Sequence, residues 1–245
     1  MILPHLGKAR AATRVLRADA RRLAAAGDMP GATDRIVAAF NLSKHLRHPD
    51  ATCLERTVAM AIADLAINET EWLVKRGGLA AEDGERLCLS LGELTRTPDP
   101  FGFVEGIGVE RSTLDNNLYI EVYPGVEKKT LKPEMTDAER EAKRQAIHDS
   151  VVKVVRSLTP PVAKALNEAA EAWTKDNAVE VLTAIWDRRE SFGKASILLP
   201  KLQDFKKSEL KVITRAADVM ALFPEKIQKQ VPQEVRDPEN KPPRS

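Results

Sequence analysis

Apolar residues return at steps of three and four over most of the chain, and this rhythm predicts helices. The first runs from about Leu3 to Ala26, with Leu6, Ala9, Leu16, Ala20 and Leu23 on one face. Gly27 suits the position just past a helix end, where a positive φ favours glycine, and Pro30 suits the first turn of the next helix. That second helix carries Ile36, Ala39, Leu42 and Leu46 and stops before Pro49. Asp50 or Thr52 caps a third, with Glu55 three residues after Thr52 as in a capping box. Its stripe is Leu54, Val58, Ile62, Leu65, Trp72 and Leu73, and it breaks at Gly77-Gly78. A shorter fourth helix, with Leu87, Leu91 and Leu94 inward, closes near Thr97-Pro98.

The rhythm then weakens. Residues 99–135 are read as an irregular connection between an N-terminal part, 1–98, and a C-terminal part, 136–223. Val104, Ile107, Arg111, Leu114 and Leu118 step as a helix, whereas "LYIEVYPG" reads equally as a short strand. Tyr123-Pro124-Gly125 reads as a turn either way. Order returns at Thr136, which forms a capping box with Glu139. Ile147, Val151, Val154 and Leu158 follow on one face, and Thr159-Pro160-Pro161 is expected to end that helix and begin another, with Val162, Leu166, Ala169, Ala170 and Trp173 inward. Asn177 with Glu180 resembles a further capping box, ahead of Ala178, Val181, Leu182, Ile185 and Trp186. After Gly193 a last helix is expected over about 195–222, with Leu202, Phe205, Ile213, Ala217 and Met220 inward. Residues 224–245, rich in proline and charge, are read as a disordered tail. The fold expected is all-α, a bundle of about seven to nine helices beginning with a tight hairpin.

Composition sharpens that picture at three points. Aromatic residues make up only 4% of the 245, so the core must be built from Ala, Leu, Val and Ile, with Trp72, Trp173 and Trp186 as core anchors. The two cysteines, Cys53 and Cys88, sit in predicted helices among apolar residues and read as buried thiols; one bridge stays open for an oxidising compartment. The net charge of +2 conceals a layout. Residues 1–48 carry nine Lys/Arg against three Asp, whereas residues 49–110 carry twelve Asp/Glu against five Lys/Arg. The basic hairpin is therefore expected to lie against the acidic segment. No apolar run approaches a membrane span of about 18 residues, and "MILPHLGKAR" lacks the apolar centre of a signal peptide. The chain reads as soluble as written.

The spacing of Leu16, Ala20, Leu23, Gly27, Ala32, Ile36 and Ala39 resembles a tetratricopeptide repeat, a helix–turn–helix unit of about 34 residues. Lys44 stands where that family has its closing proline, and no second copy follows at the period. One unit makes no peptide groove, since about three must stack to bury their faces. The same hairpin, with "AAFNLSKHL" and "LLPKL" at Leu198–Leu202, also resembles a loosely defined set of bacterial envelope proteins in which a membrane helix precedes a helical soluble region. That resemblance implies an anchor upstream of the first residue and carries no activity. The compartment is then the envelope with such an anchor and the cytoplasm without it.

Arg10, Arg14, Arg17 and Arg21 step i, i+4, i+7, i+11 and form a basic stripe on the first helix, widened by Lys8 and Arg22. Such a stripe suits an acidic protein segment or an anionic membrane surface. No aromatic residue interleaves it, which disfavours nucleic acid. His45 and His48 with Cys53 lack a recognised metal-ligand spacing. Gly102, Gly106 and Gly108 match no dinucleotide fingerprint, and no nucleophile motif, catalytic residue or cofactor is read. A carboxylate row, Glu105, Glu110 and Asp115, lies in the segment that also holds Phe101, Phe103, Tyr119 and Tyr123. A ligand pocket, if the chain had one, is expected there, at Phe101, Phe103, Glu105, Glu110 and Tyr119. The function expected is a non-enzymatic interaction or scaffold domain with a protein partner on the arginine stripe; the alternative is a small-ligand binder or enzyme using the pocket at 101–123.

Overall fold

Local signals start most of the helices. The computed structural model describes residues 4–132, 135–188, 192 and 202–229, and these hold ten helices and no strand. Helix α1 (Pro4–Ala25) reverses into α2 (Met29–His45) through Gly27 at φ 86°. The N–H of Asp28 donates to the Leu23 carbonyl and that of Gly27 to Ala24, which satisfies the last carbonyls of α1. The Asp28 carboxylate then accepts from the Gly31 N–H at 2.9 Å and starts α2, with Pro30 in the first turn. Ala20, Ala24, Ala32 and Ala39 are buried between the two helices, whose small side chains permit close approach.

Thr52 and Glu55 make the expected capping box at the start of α3 (Cys53–Arg76). Gly77 and Gly78, at φ 78° and 83°, end it before α4 (Ala81–Thr95). Leu6 and Ala9 of α1 pack with Val58 and Ile62 of α3, flanked by Leu42 and Leu46. The stripe of α3 differs in part from its expected one. Leu54 is half exposed and Trp72 half buried, and Ala59, Ala63, Ala66 and Ile67 carry the burial instead. Cys53 and Cys88 are buried free thiols, and burial pushes Cys88 up to about 11.

The chain folds as two units. One comprises residues 1–102 together with the chain from Lys207 onward, the other residues 103–206. The stretch expected to be an irregular connection is helical in the second unit: α5 (Phe103–Ser112) and α6 (Leu114–Thr130). The strand reading of "LYIEVYPG" and the turn at Pro124 are both overturned, because α6 runs through Pro124. Likewise α7 (Asp137–Ala172) continues through Pro160 and Pro161, where two helices were expected. One reason covers all three prolines. Each is exposed, as are Ile120, Arg156 and Ser157, whose carbonyls lose an N–H partner and can be hydrated instead. Packing of α5, α6 and α8 on α7 supplies what the missing hydrogen bonds do not.

Thr136 and Glu139 form their capping box, and the hydrogen bonds from Thr136 hold the Glu139 carboxyl below its usual range. Asn177 occupies the N-cap of α8 (Ala178–Asp187), but its side chain makes no cap bond. The core of this unit is Ile147, Val151, Val155, Val162, Leu166 and Ala169 on α7, with Phe103 stacked on Trp173 at 4.8 Å and on Phe205 at 5.9 Å.

Helix α9 (Leu202–Met220) is described from Leu202; its expected start after Gly193, and most of the "LLPKL" stretch, lie outside the described residues. Its buried face is Leu202, Lys206, Glu209, Val212, Ala216 and Val219, a register offset from the expected one, and Ala217 is exposed. A short helix, α10 (Glu225–Gln228), occupies the beginning of the segment expected to be disordered; residues 230–245 lie outside the described residues.

A basic helix face anchored on a buried glutamate

The arginine stripe of α1 divides into two halves. Its C-terminal half is fixed to α3: Arg17 Nε donates to Glu69 Oε1 at 2.5 Å, while Arg21 donates to Oε2 at 2.6 Å and to Oε1 at 3.0 Å. Glu69 is 2% exposed, so two guanidiniums compensate one buried carboxylate. The bond to Glu69 also raises Arg21 above its ordinary value. Arg21 and Arg76 lie over the Trp72 ring at 5.3 and 5.7 Å, which makes Trp72 a cation–π platform beside this pair. A cavity of about 10 Å³, room for one water, adjoins the pair between Thr13, Arg35, Ile36 and Ala66.

The N-terminal half of the stripe faces water. Arg10 and Arg14 are exposed, as is Lys8, and among the described residues neither arginine pairs with a carboxylate. Val15 beside them is 68% exposed. Charge reversal at Arg17 would therefore disturb the fold, whereas Arg10 and Arg14 can be changed without breaking an ion pair.

The expected contact between basic and acidic segments exists in specific bonds. Besides the Glu69 cluster, Lys44 reaches Glu93 at 3.0 Å, and His5 Nε2 meets Glu55 Oε1 at 3.0 Å. His48 Nε2 approaches the same oxygen at 3.8 Å. Burial alone would raise the Glu55 carboxyl. The Thr52 N–H and hydroxyl, His5 and His48 together outweigh burial and hold it below its usual range. His45 points elsewhere, its Nδ1 lying 2.7 Å from the Asn41 carbonyl. Among the described residues, no group of three or more His, Cys, Asp or Glu is arranged to hold a metal, and no helix is long and apolar enough to cross a membrane.

Of the residues expected to line a ligand pocket, Phe101 belongs to the first unit and Phe103, Glu105, Glu110 and Tyr119 to the second. Phe101 is fully buried in the first unit, with the Arg47 guanidinium 5.6 Å over its ring and its carbonyl accepting from Arg56 at 3.0 Å. Arg56, itself buried, also donates to the carbonyls of His48 and Ala51, so it ties the 48–51 loop to Phe101. Phe103 belongs to the aromatic core of the second unit. Glu105 is exposed and Glu110 half buried. Tyr119 stacks on Tyr123 and shares a 2.8 Å hydrogen bond with His148 Nδ1. Its hydroxyl is raised by burial first, then by Tyr123 and Glu127.

Glu69 is the residue that sequence reasoning passed over. It stands on the apolar face of α3 among Ala66, Ile67, Thr70 and Leu73, and a lone charge in that register is the readable sign of a buried partner. No protein-family model, curated protein or solved structure matches the chain.

Proposed function

We propose that the protein is a non-enzymatic helical interaction domain that holds an acidic protein segment on the outer face of α1. One observation carries the reading. Arg10 and Arg14 stand exposed, without a carboxylate partner among the described residues, on a helix whose next turns are fixed through Arg17 and Arg21 to buried Glu69. Anchoring the second half of the stripe sets the direction in which the first half presents its charge. A contact of this kind gains mainly in association rate and in selectivity for negative partners, and it weakens with salt.

The test is retention of the full chain on an immobilised poly-glutamate peptide. Wild type is expected to be retained at low salt and released as salt rises. Arg10→Glu with Arg14→Glu should abolish retention while the circular-dichroism spectrum and thermal midpoint stay within error of wild type. Undiminished retention of the double variant would remove the α1 face from any role in binding. Retention on phosphatidylserine vesicles but not on the peptide would replace the protein partner by a membrane surface.

A further inference from the structure

The free arginines of α1 have a geometric counterpart on this same chain. Along α8 and the residue turn before it, Asp176, Glu180 and Asp187 step i, i+4, i+11, with Thr183 at i+7. The same steps separate Arg10, Arg14, Arg17 and Arg21. Ala178, Leu182 and Ile185 bury the opposite side of α8, so the acidic row faces outward and lines an open groove of about 440 Å³. All three carboxylates are exposed, and among the described residues none pairs with a cation. Arg188, the nearest guanidinium in sequence to Asp187, is engaged with Glu168 at 2.5 Å and does not neutralise the row.

We propose that the exposed arginines of α1 dock on the α8 carboxylate row of a second copy of this chain. The inference rests on the reading of α1 as a contact face and names its partner. Two alignments of the helices bring like steps together. The antiparallel one sets Glu180 and Asp176 against Arg17 and Arg21, which are already committed to Glu69, and leaves only Asp187 to meet a free guanidinium, Arg10. The parallel one sets Asp176 against Arg10 and Glu180 against Arg14, the two guanidiniums with no carboxylate, and it is the alignment favoured. The two faces are different surfaces, so the contact is heterologous, and each docked copy leaves one face of either kind unfilled. Association therefore proceeds head to tail and stops only where a ring closes, and, being made of exposed charges, it is weak and salt-sensitive.

Sedimentation velocity of the full chain tests this. At roughly 20 mM salt, where charges interact over about 20–30 Å, the sedimentation coefficient of wild type should rise with protein concentration; at about 0.5 M salt, where the range shrinks to a few ångströms, it should not. Arg10→Gln/Arg14→Gln removes one face, and Asp176→Asn/Glu180→Gln removes the other. Each variant alone should sediment as a monomer. An equimolar mixture retains one intact face of each kind and should form a dimer that grows no further. A wild type that stays monomeric at low salt up to millimolar concentration, or a mixture of variants that stays monomeric, overturns the self-docking. If self-docking fails while Arg10→Glu/Arg14→Glu still loses the poly-glutamate peptide, the reading of α1 as a contact face survives without this partner.

Discussion

Removing Glu69 and removing its two arginines are different experiments, although both break the same cluster. Without the carboxylate, Arg17 and Arg21 are left with side chains about two-fifths exposed, and water can take over their N–H groups. Without the arginines, a carboxylate nearly sealed from solvent has no counter-charge. Glu69→Leu is therefore expected to cost about 1–2 kcal/mol, the worth of a charged hydrogen bond partly replaced by water. Arg17→Met with Arg21→Met should cost about 3–5 kcal/mol, the cost of stranding a buried charge. Urea denaturation of the two variants checks the ordering; equal midpoints would show that Glu69 is hydrated in solution. Glu55 supports a pH prediction. Its carboxyl is held below the ordinary 4.5 in the folded chain. A depressed carboxyl contributes stability that is present above its unfolded pKa and is lost as pH falls through its folded one. The urea midpoint of wild type should thus drop between about pH 5 and pH 3 more steeply than that of Glu55→Gln. Parallel curves would mean that Thr52, His5 and His48 do not favour the ionised form in the fold.

At the scale of helices, α7 poses the sharpest question, since a 36-residue helix with two adjacent prolines in its interior contradicts the local rules. Proline costs about 3 kcal/mol relative to alanine inside a helix, partly offset by the smaller entropy of its unfolded chain, about 0.4–1 kcal/mol. Pro160 is exposed, so Pro160→Ala restores an N–H donor toward the Arg156 carbonyl without opening a cavity in the core. The variant is expected to be more stable by about 2 kcal/mol in urea denaturation. A loss of stability would show that the chain needs a break there. The same comparison shows what the sequence made legible. Both capping boxes, the Gly27 reversal and the Gly77-Gly78 stop were readable because each is settled within about four residues. Helices α5 and α6 were readable only as one of two alternatives, from the steps of Val104, Ile107, Leu114 and Leu118, because glycines and Pro124 carry local signals for turns that packing on α7 overrides. The face of α9 was misplaced for a related reason. Lys206 and Glu209 occupy its buried register, where a periodicity argument expects apolar residues, and Lys206 is held there by the Trp173 ring at 5.5 Å, a contact 33 positions away in the chain. The arginine stripe was legible as a pattern, but its division into an anchored and a free half depended on Glu69 from another helix.

For the molecule as a whole, the finding that sequence order could not reveal is that the first unit is discontinuous. Residues from Lys207 onward return to join residues 1–102. Arg215 reaches Glu71 at 3.1 Å and Asp64 at 3.5 Å on α3, and the segment after α9 packs on α4. Gly84 is the contact point: a Cβ there would lie 3.0 Å from Ile227 Cδ1 and 3.5 Å from Phe223 Cδ1, so a larger side chain pushes the segment away. Phe223 is buried although it is separated from Gly84 by more than half the chain. If the returning segment is part of the core of this unit, Phe223→Ala should cost about 3 kcal/mol or more, as for a buried aromatic, and should speed hydrogen exchange throughout α4. If the segment is a loose appendage, the loss will be small and exchange will rise only after residue 220. Gly84→Val provides the converse test, because it leaves Phe223 intact and removes only its seat. Faster exchange over 223–228 in Gly84→Val, together with faster alkylation of Cys88 one helical turn along α4, would show that α4 and the returning segment share one packed face.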